Sequence, residues 1–193
     1  MSSLRYLIFA ALLAVLALAA ASWLGLFSLA EFTGAPAQNS AQEALAFGEA
    51  HAGDFITYEN ANYSLKLKYP IGFYAEEEPD FYTVARFSAV SGGAAEIIDL
   101  KVAEGEYAFT QSELNEMFED SGDLISASER VEVNGVDAWV FSATQGVNGV
   151  DFVVKGAFYD CPGYTAFVSV TMPSALAALD APMADYVLYS FSC

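Results

Sequence analysis

The chain is poor in the residues that most catalysis and most polyanion recognition require. It has one histidine, two cysteines and seven basic residues among 193. Seven bases against 25 acids exclude a nucleic-acid binder, because phosphates are held by clustered Lys and Arg. The lone His51 excludes a His-rich metal site and leaves little for proton transfer near neutral pH. Nucleophilic hydrolysis needs a nucleophile beside an oriented base. The sequence has no G-x-S-x-G, and its one histidine falls in a stretch that reads as a linker. It also has no C-x-x-C for redox work, and no cysteine near its N-terminal apolar run, which excludes a lipoprotein anchor. The reading is therefore not an enzyme.

What is present divides into three parts. Leu7–Ala30 is 24 residues without a charge. As a helix it would be about 36 Å long, enough to span a bilayer core of about 30 Å with some tilt. Arg5 precedes it and Glu31 follows, so the positive-inside tendency puts the N-terminus in the cytoplasm and the rest outside. Trp23 and Phe27 lie toward the outer end. A second reading is a signal peptide cut at Ala19-Ala20-Ala21 and secretion of the remainder. The uncleaved anchor is preferred because a signal h-region is much shorter. Residues 1–30 are thus an anchor or signal segment.

Residues 31–54 are rich in Ala, Gly, Gln and Ser and read as a flexible linker, with a short helix at Gln42–Phe47. His51 there reads as a solvated residue.

Residues 55–193 read as one extracytoplasmic α+β domain. Phe55–Glu59 is a short strand. Tyr63–Tyr69 alternates Leu65, Leu67 and Tyr69 against Ser64, Lys66 and Lys68, the pattern of a half-buried strand ended by Pro70. Phe81–Val90 and Ala95–Val102 are two more, with Ile98, Leu100 and Val102 inward. Thr110-Gln111-Ser112-Glu113 is a capping box that opens a helix to about Asp120. Asn134-Gly135 is a two-residue hairpin turn between Ile125–Val133 and Val136–Thr144. Val150–Tyr159 and Tyr164–Met172 complete a four-strand meander. Ala138 and Val140 on one face of their strand, with Trp139 and Phe141 on the other, imply cover on both sides of the sheet. The Gln111 helix is one cover. A C-terminal helix capped by Asp180, with Pro182 in its first turn and Met183, Val187, Leu188 and Phe191 on one face, is the other. The expected architecture is an antiparallel sheet of six to seven strands with helices packed on it, preceded by a single transmembrane helix.

Cys161 and Cys193 fall on the exported side, where disulfides persist. Their pairing would tie the C-terminal helix to the rim of the sheet. Two free thiols are the alternative, and two cysteines alone make a poor zinc site.

The order Tyr58 … Asn62-Tyr63-Ser64-Leu65-Lys66-Leu67-Lys68-Tyr69-Pro70 resembles the opening hairpin of the PsbP-like family, which ends in a Tyr-Pro pair. Val133-Asn134-Gly135-Val136-Asp137-Ala138-Trp139 is similar to that family's central hairpin, and Tyr189-Ser190-Phe191 resembles its closing Ser-Phe. The family's usual Trp after Tyr-Pro is here replaced by Ile71-Gly72-Phe73. The resemblance covers about residues 55–193. It implies an α/β/α sandwich and a non-enzymatic accessory or binding module, as in extrinsic photosystem II subunits, small lipoproteins and, in a related fold group, a Ran-binding protein. It does not carry a specific role, since fold does not fix function.

Residues 31–193 hold six bases against 25 acids, a net charge of −19. That acidity reads as solubility or a salty niche before cation binding. Glu76, Glu77, Glu78 and Asp80 put four carboxylates into five residues of an expected loop, and with Asp120-Ser121-Gly122-Asp123 they are the calcium candidates. Neither has EF-hand spacing, and a solvated acidic loop is the preferred reading. No other cofactor is expected. Asn62-Tyr63-Ser64 is an N-glycosylation sequon.

The expected function is a membrane-tethered extracytoplasmic accessory domain that engages another envelope protein. Two alternatives stand: a pilin-like surface-assembly subunit, and a divalent-cation or small-solute binder.

Overall fold

The computed structural model describes residues 38–80, 83–91, 94–105, 110, 112–113, 116, 124–147 and 149–193. The expected anchor at residues 7–30 lies outside them. Among the described residues no helix is long and apolar enough to cross a membrane.

The short helix expected at Gln42–Phe47 within the linker is present and longer than expected. Gln38–Ala50 is helix α1, followed by a 3-10 turn at Ala52–Asp54. Residues Ala37–Cys193 form one compact unit that includes it. The helix stays because its inward positions are small: Ala44 and Gly48 are buried, and α1 lies close against the C-terminal helix α2, Ala177–Tyr189.

The strands follow: β1 Phe55–Asn60, β2 Leu65–Pro70, β3 Tyr74–Asp80, β4 Thr83–Ser91, β5 Ala94–Glu104, β6 Leu124–Val133, β7 Val136–Val147, β8 Val150–Cys161 and β9 Tyr164–Pro173. Seven of them make one antiparallel sheet in the order β3-β4-β5-β9-β8-β7-β6. The meander from β6 to β9 and its Asn134-Gly135 turn are as expected. β1 and β2 form their own hairpin rather than joining that sheet. β3 corrects the expectation of an acidic loop at Glu76–Asp80, since Glu76 and Glu77 pair in register with Arg86 and Ala85 of β4. The capping box is also present. Thr110 donates its backbone N–H to Glu113 Oε2 at 2.8 Å, and Glu113 N–H donates to Thr110 Oγ1 at 3.3 Å. Most of the expected helix after it, including Leu114, Met117 and Phe118, lies outside the described residues, and so does any cover it gives the sheet.

One sheet face builds the main core. Ala166, Val168, Val170 and Met172 alternate inward on β9 and stand in register with Ile98 and Leu100 of β5 and Ala157 and Tyr159 of β8. α2 lies over this face with Ala184, Val187 and Leu188 buried, as is Phe191 just beyond it. Leu65 and Leu67 of β2 close the side. On the opposite face Phe141, Phe158 and Phe167 gather with ring centroids 4.6–6.2 Å apart. Gly156 lets Phe141 lie over the backbone, where a Cβ would overlap its ring.

α2 starts three residues before the expected cap. The turn after Pro173 presents Leu176, whose carbonyl accepts from Leu179 and Asp180, and the Ala177-Ala178 pair favours continuation. Asp180 is therefore inside the first turn, and Pro182 is inside the helix.

The far end of α2 is fixed by side chains of two elements and the backbone of a third. The Asn134 amide donates to the carbonyls of Tyr189 and Phe191 at 3.1 and 2.7 Å. The Tyr159 hydroxyl donates to Leu188 O at 2.7 Å. Ser190 Oγ accepts from the Lys68 N–H at 3.0 Å, and Ser192 exchanges backbone hydrogen bonds with Lys66.

Asn134→Gly keeps a residue that tolerates the positive φ of this turn but removes both amide bonds. It is expected to lower unfolding free energy by about 1–2 kcal/mol, read by denaturant melts. An unchanged midpoint would sink the capping role. Gly48→Ala should also destabilise, against helix propensity. The added Cβ would overlap the Tyr186 ring, and overpacking of about 1–3 kcal/mol outweighs a propensity gain of about 1 kcal/mol. A higher melting temperature would contradict the α1–α2 packing.

Candidate functional site

Two sequence candidates far apart in the chain meet in one place. The apex of the β1–β2 hairpin carries Asn62, and the end of β8 carries Cys161. Cys161 and Cys193 are joined by a disulfide, with Cα atoms 5.9 Å apart. Cys161 is buried and Cys193 half-buried. An open cleft of about 320 Å³ lies between hairpin apex and disulfide, lined by Asn62, Tyr63, Ser64, Pro162, Tyr164 and Cys193.

Local chemistry shapes the apex. Asn60 Oδ1 accepts the backbone N–H groups of Asn62 and Tyr63 at 3.0 and 3.3 Å, an Asx turn. Asn60 Nδ2 donates to the Tyr58 hydroxyl at 3.2 Å. Tyr164 then pins the loop, its hydroxyl donating to Tyr63 O at 2.7 Å while the two rings lie 5.5 Å apart. Burial pushes the Tyr164 phenol above its ordinary pKa, with Tyr63 adding a smaller push. The cleft thus offers two aromatic edges, a carboxamide, a hydroxyl and one face of a disulfide.

The acidic candidates go elsewhere. Glu76, Glu77 and Glu78 are exposed on β3, an edge strand. Asp80 accepts from the Thr83 N–H and hydroxyl at 2.9 and 3.0 Å and lies 4.0 Å from Arg86. Arg86 itself forks onto Asp99 at 2.6 and 3.2 Å, which holds the guanidinium above its usual pKa. Among the described residues no group of three or more His, Cys, Asp or Glu is placed to hold a metal ion. Asp120 and Asp123 lie outside the described residues. His51 is exposed near the end of α1, its Nδ1 2.9 Å from Phe47 O and its ring stacked on Phe47.

Sequence reasoning missed one pair of groups. Glu96 is buried on β5, in phase with Ile98 and Leu100, and that phase was visible in the sequence. Burial raises its carboxyl pKa, and the charge of Asp180 on α2 raises it further. Asp180 Oδ2 is buried and among the described residues has no hydrogen-bond partner.

No family's sequence profile matches the chain, and no curated protein matches it. Solved structures do. The fold is similar to that of cyanobacterial PsbP (CyanoP) from Synechocystis sp. PCC 6803, with a TM-score of 0.57 at 11% identity, covering 72% of this chain and 92% of that one. It is also similar to LpqN of Mycobacterium tuberculosis, a protein involved in cell envelope biogenesis. That match has a TM-score of 0.54 at 9% identity and covers 72% of this chain and 89% of the other. At such identities the likeness is one of fold, and the fold is PsbP-like, as the hairpins suggested.

The Glu96 shift sets a pH dependence. Its folded pKa lies above the unfolded value, so its contribution to stability is full below the unfolded pKa and is lost as pH rises through the folded one. Glu96→Gln should therefore raise the melting temperature at pH 7 and flatten its fall between pH 4 and 7. Parallel curves for the variant and the parent would refute this.

Proposed function

We propose that this chain is an extracytoplasmic accessory domain, held at the membrane by residues 7–30, that engages another protein of the cell envelope without catalysing a reaction. The observation that carries the reading is the Cys161–Cys193 bond, because disulfides form and persist in oxidising compartments. The PsbP-like fold supports the accessory role, since one of its neighbours in fold, LpqN, is involved in cell envelope biogenesis.

The surface offers a place for a partner. Tyr74 of β3 and Val90 of β4 are 71% and 79% exposed. Tyr74 stands opposite Ser88, so Val90 lies two residues along on the same sheet face. Ile71, just before β3, is 58% exposed. Apolar side chains on an acidic edge suit a contact with an apolar centre and a charged rim.

The test is a photo-reactive residue at Val90 in the full chain, irradiated in membranes of the organism that makes it. One dominant heterologous adduct that disappears with Tyr74→Lys is the expected result. Adducts only with other copies, in a repeating register, would replace this reading with a surface-assembly subunit. No adduct above background would overturn protein engagement and leave solute or cation binding.

A further inference from the structure

We infer that Asn62 carries an N-linked saccharide whose first sugar sits in the cleft beside the disulfide. The inference rests on the extracytoplasmic reading above.

Asparagine is used twice elsewhere in this fold for visible structural reasons. Asn60 builds the Asx turn and bonds Tyr58, and Asn134 caps α2. Asn62 differs. Only its backbone N–H is engaged, and among the described residues its exposed side-chain amide makes no hydrogen bond. A free carboxamide at a hairpin apex is what a transferase needs to reach.

Ser64 gives the independent observation. Its φ is +54°, in the left-handed region that disfavours a side chain. At the other hairpin turns of the meander this conformation falls to Asn134, Gly135, Gly149 and Gly163, residue types that suit it. At the β1–β2 apex a serine holds it instead. A glycine would relieve the backbone but remove the hydroxyl that completes the sequon. Retaining Ser at a strained position points to a use for that hydroxyl. Ser64 and Asn62 line the same cleft, whose volume is at the lower end of small-ligand pockets. Tyr63 and Tyr164 supply the aromatic surface against which a sugar ring can lie.

The chemistry needs a polyprenyl-phosphate-linked sugar and a membrane oligosaccharyl transferase. The Asn62 side-chain nitrogen bonds to C1 of the donor sugar. The C1–O bond breaks, the lipid phosphate leaves with the electron pair, and the amide proton passes to a base on the transferase.

The test is mass spectrometry of the full chain purified from its own host, with non-reducing alkylation to read the cysteines. The expected result is a saccharide mass on the peptide containing Asn62. That mass should vanish in Asn62→Gln and in Ser64→Gly and remain in Ser64→Thr. Ser64→Gly should melt at or above the parent temperature once the parent is enzymatically deglycosylated, which separates loss of modification from loss of folding. An unmodified Asn62 in a chain whose cysteines are bonded overturns the inference alone. An unmodified Asn62 with both cysteines reduced overturns it together with the extracytoplasmic reading. A saccharide that persists in Ser64→Gly also overturns it, because the strained serine would then have no part in the modification.

Discussion

The structure depends on how the last turn of α2 is seated. A helix ends with carbonyls that have no partner within it, and buried ones are costly to leave unpaired. Here the sheet supplies the partners. Tyr159 from β8 takes Leu188 O, and Asn134 from the β6–β7 turn takes Tyr189 O and Phe191 O. The chain then makes a single antiparallel bridge from Ser192 to Lys66 of β2, and Cys193 closes onto Cys161 at the end of β8. Closing a loop of that separation, 32 residues, restricts the unfolded chain by about 3–4 kcal/mol in the chain-entropy account. Seating α2 positions everything around it. Tyr186 presents its hydroxyl to Lys68 at 3.0 Å and its ring edge-on to Phe55, and α1 packs where Gly48 meets that ring. The β1–β2 hairpin is held to the unit by the same segment, so the cleft exists because the helix end is fixed.

Charge is distributed in a way that suits this arrangement. Among the described residues, five of the six bases in residues 31–193 meet partners within the fold. Lys66 meets Glu59, Arg86 meets Asp99, Arg130 meets Asp137, Lys155 meets Asp185, and Lys68 meets Tyr186. The exposed pairs contribute little to stability. The half-buried Lys155–Asp185 pair, at 2.5 Å, links α2 to β8. Among the described residues most acids outside these pairs face solvent, Glu96 being buried. On β3 the acidity has a structural use, since Glu76, Glu77 and Glu78 with Pro79 blunt an edge strand against pairing with another sheet. A row of carboxylates on such an edge therefore need not mean a metal.

Much of the sheet could be read from the sequence because its signals are local. Alternation at Leu65–Tyr69, the Asn134-Gly135 turn and the Thr110–Glu113 box each state their own geometry within a few residues. What could not be read is set by partners distant in the chain. Only the middle of α1, Gln42–Phe47, reads as helix in the sequence, because its buried positions are Ala44 and Gly48 and small residues leave little hydrophobic periodicity. β3 reads as a loop because three glutamates have poor strand propensity, and it is pairing with β4 that makes them a strand. The cleft joins residue 62 to residue 193, which no local pattern foretells. Cys161 and Cys193 were the exception, because a pair of cysteines is itself a long-range statement.

The two ends of α2 are unequal, and the inequality says where this fold yields first. The C-terminal end has side-chain caps, a strand-like continuation and a covalent bond. The N-terminal end has no side-chain cap, a proline that removes one helix N–H, and Asp180 Oδ2 buried without a partner among the described residues. Burial and, after it, the charge of Asp180 oppose ionisation of Glu96. Local opening follows the fewest satisfied groups, so the proline end of α2 is expected to exchange its amide hydrogens before the disulfide end, where the cleft lies.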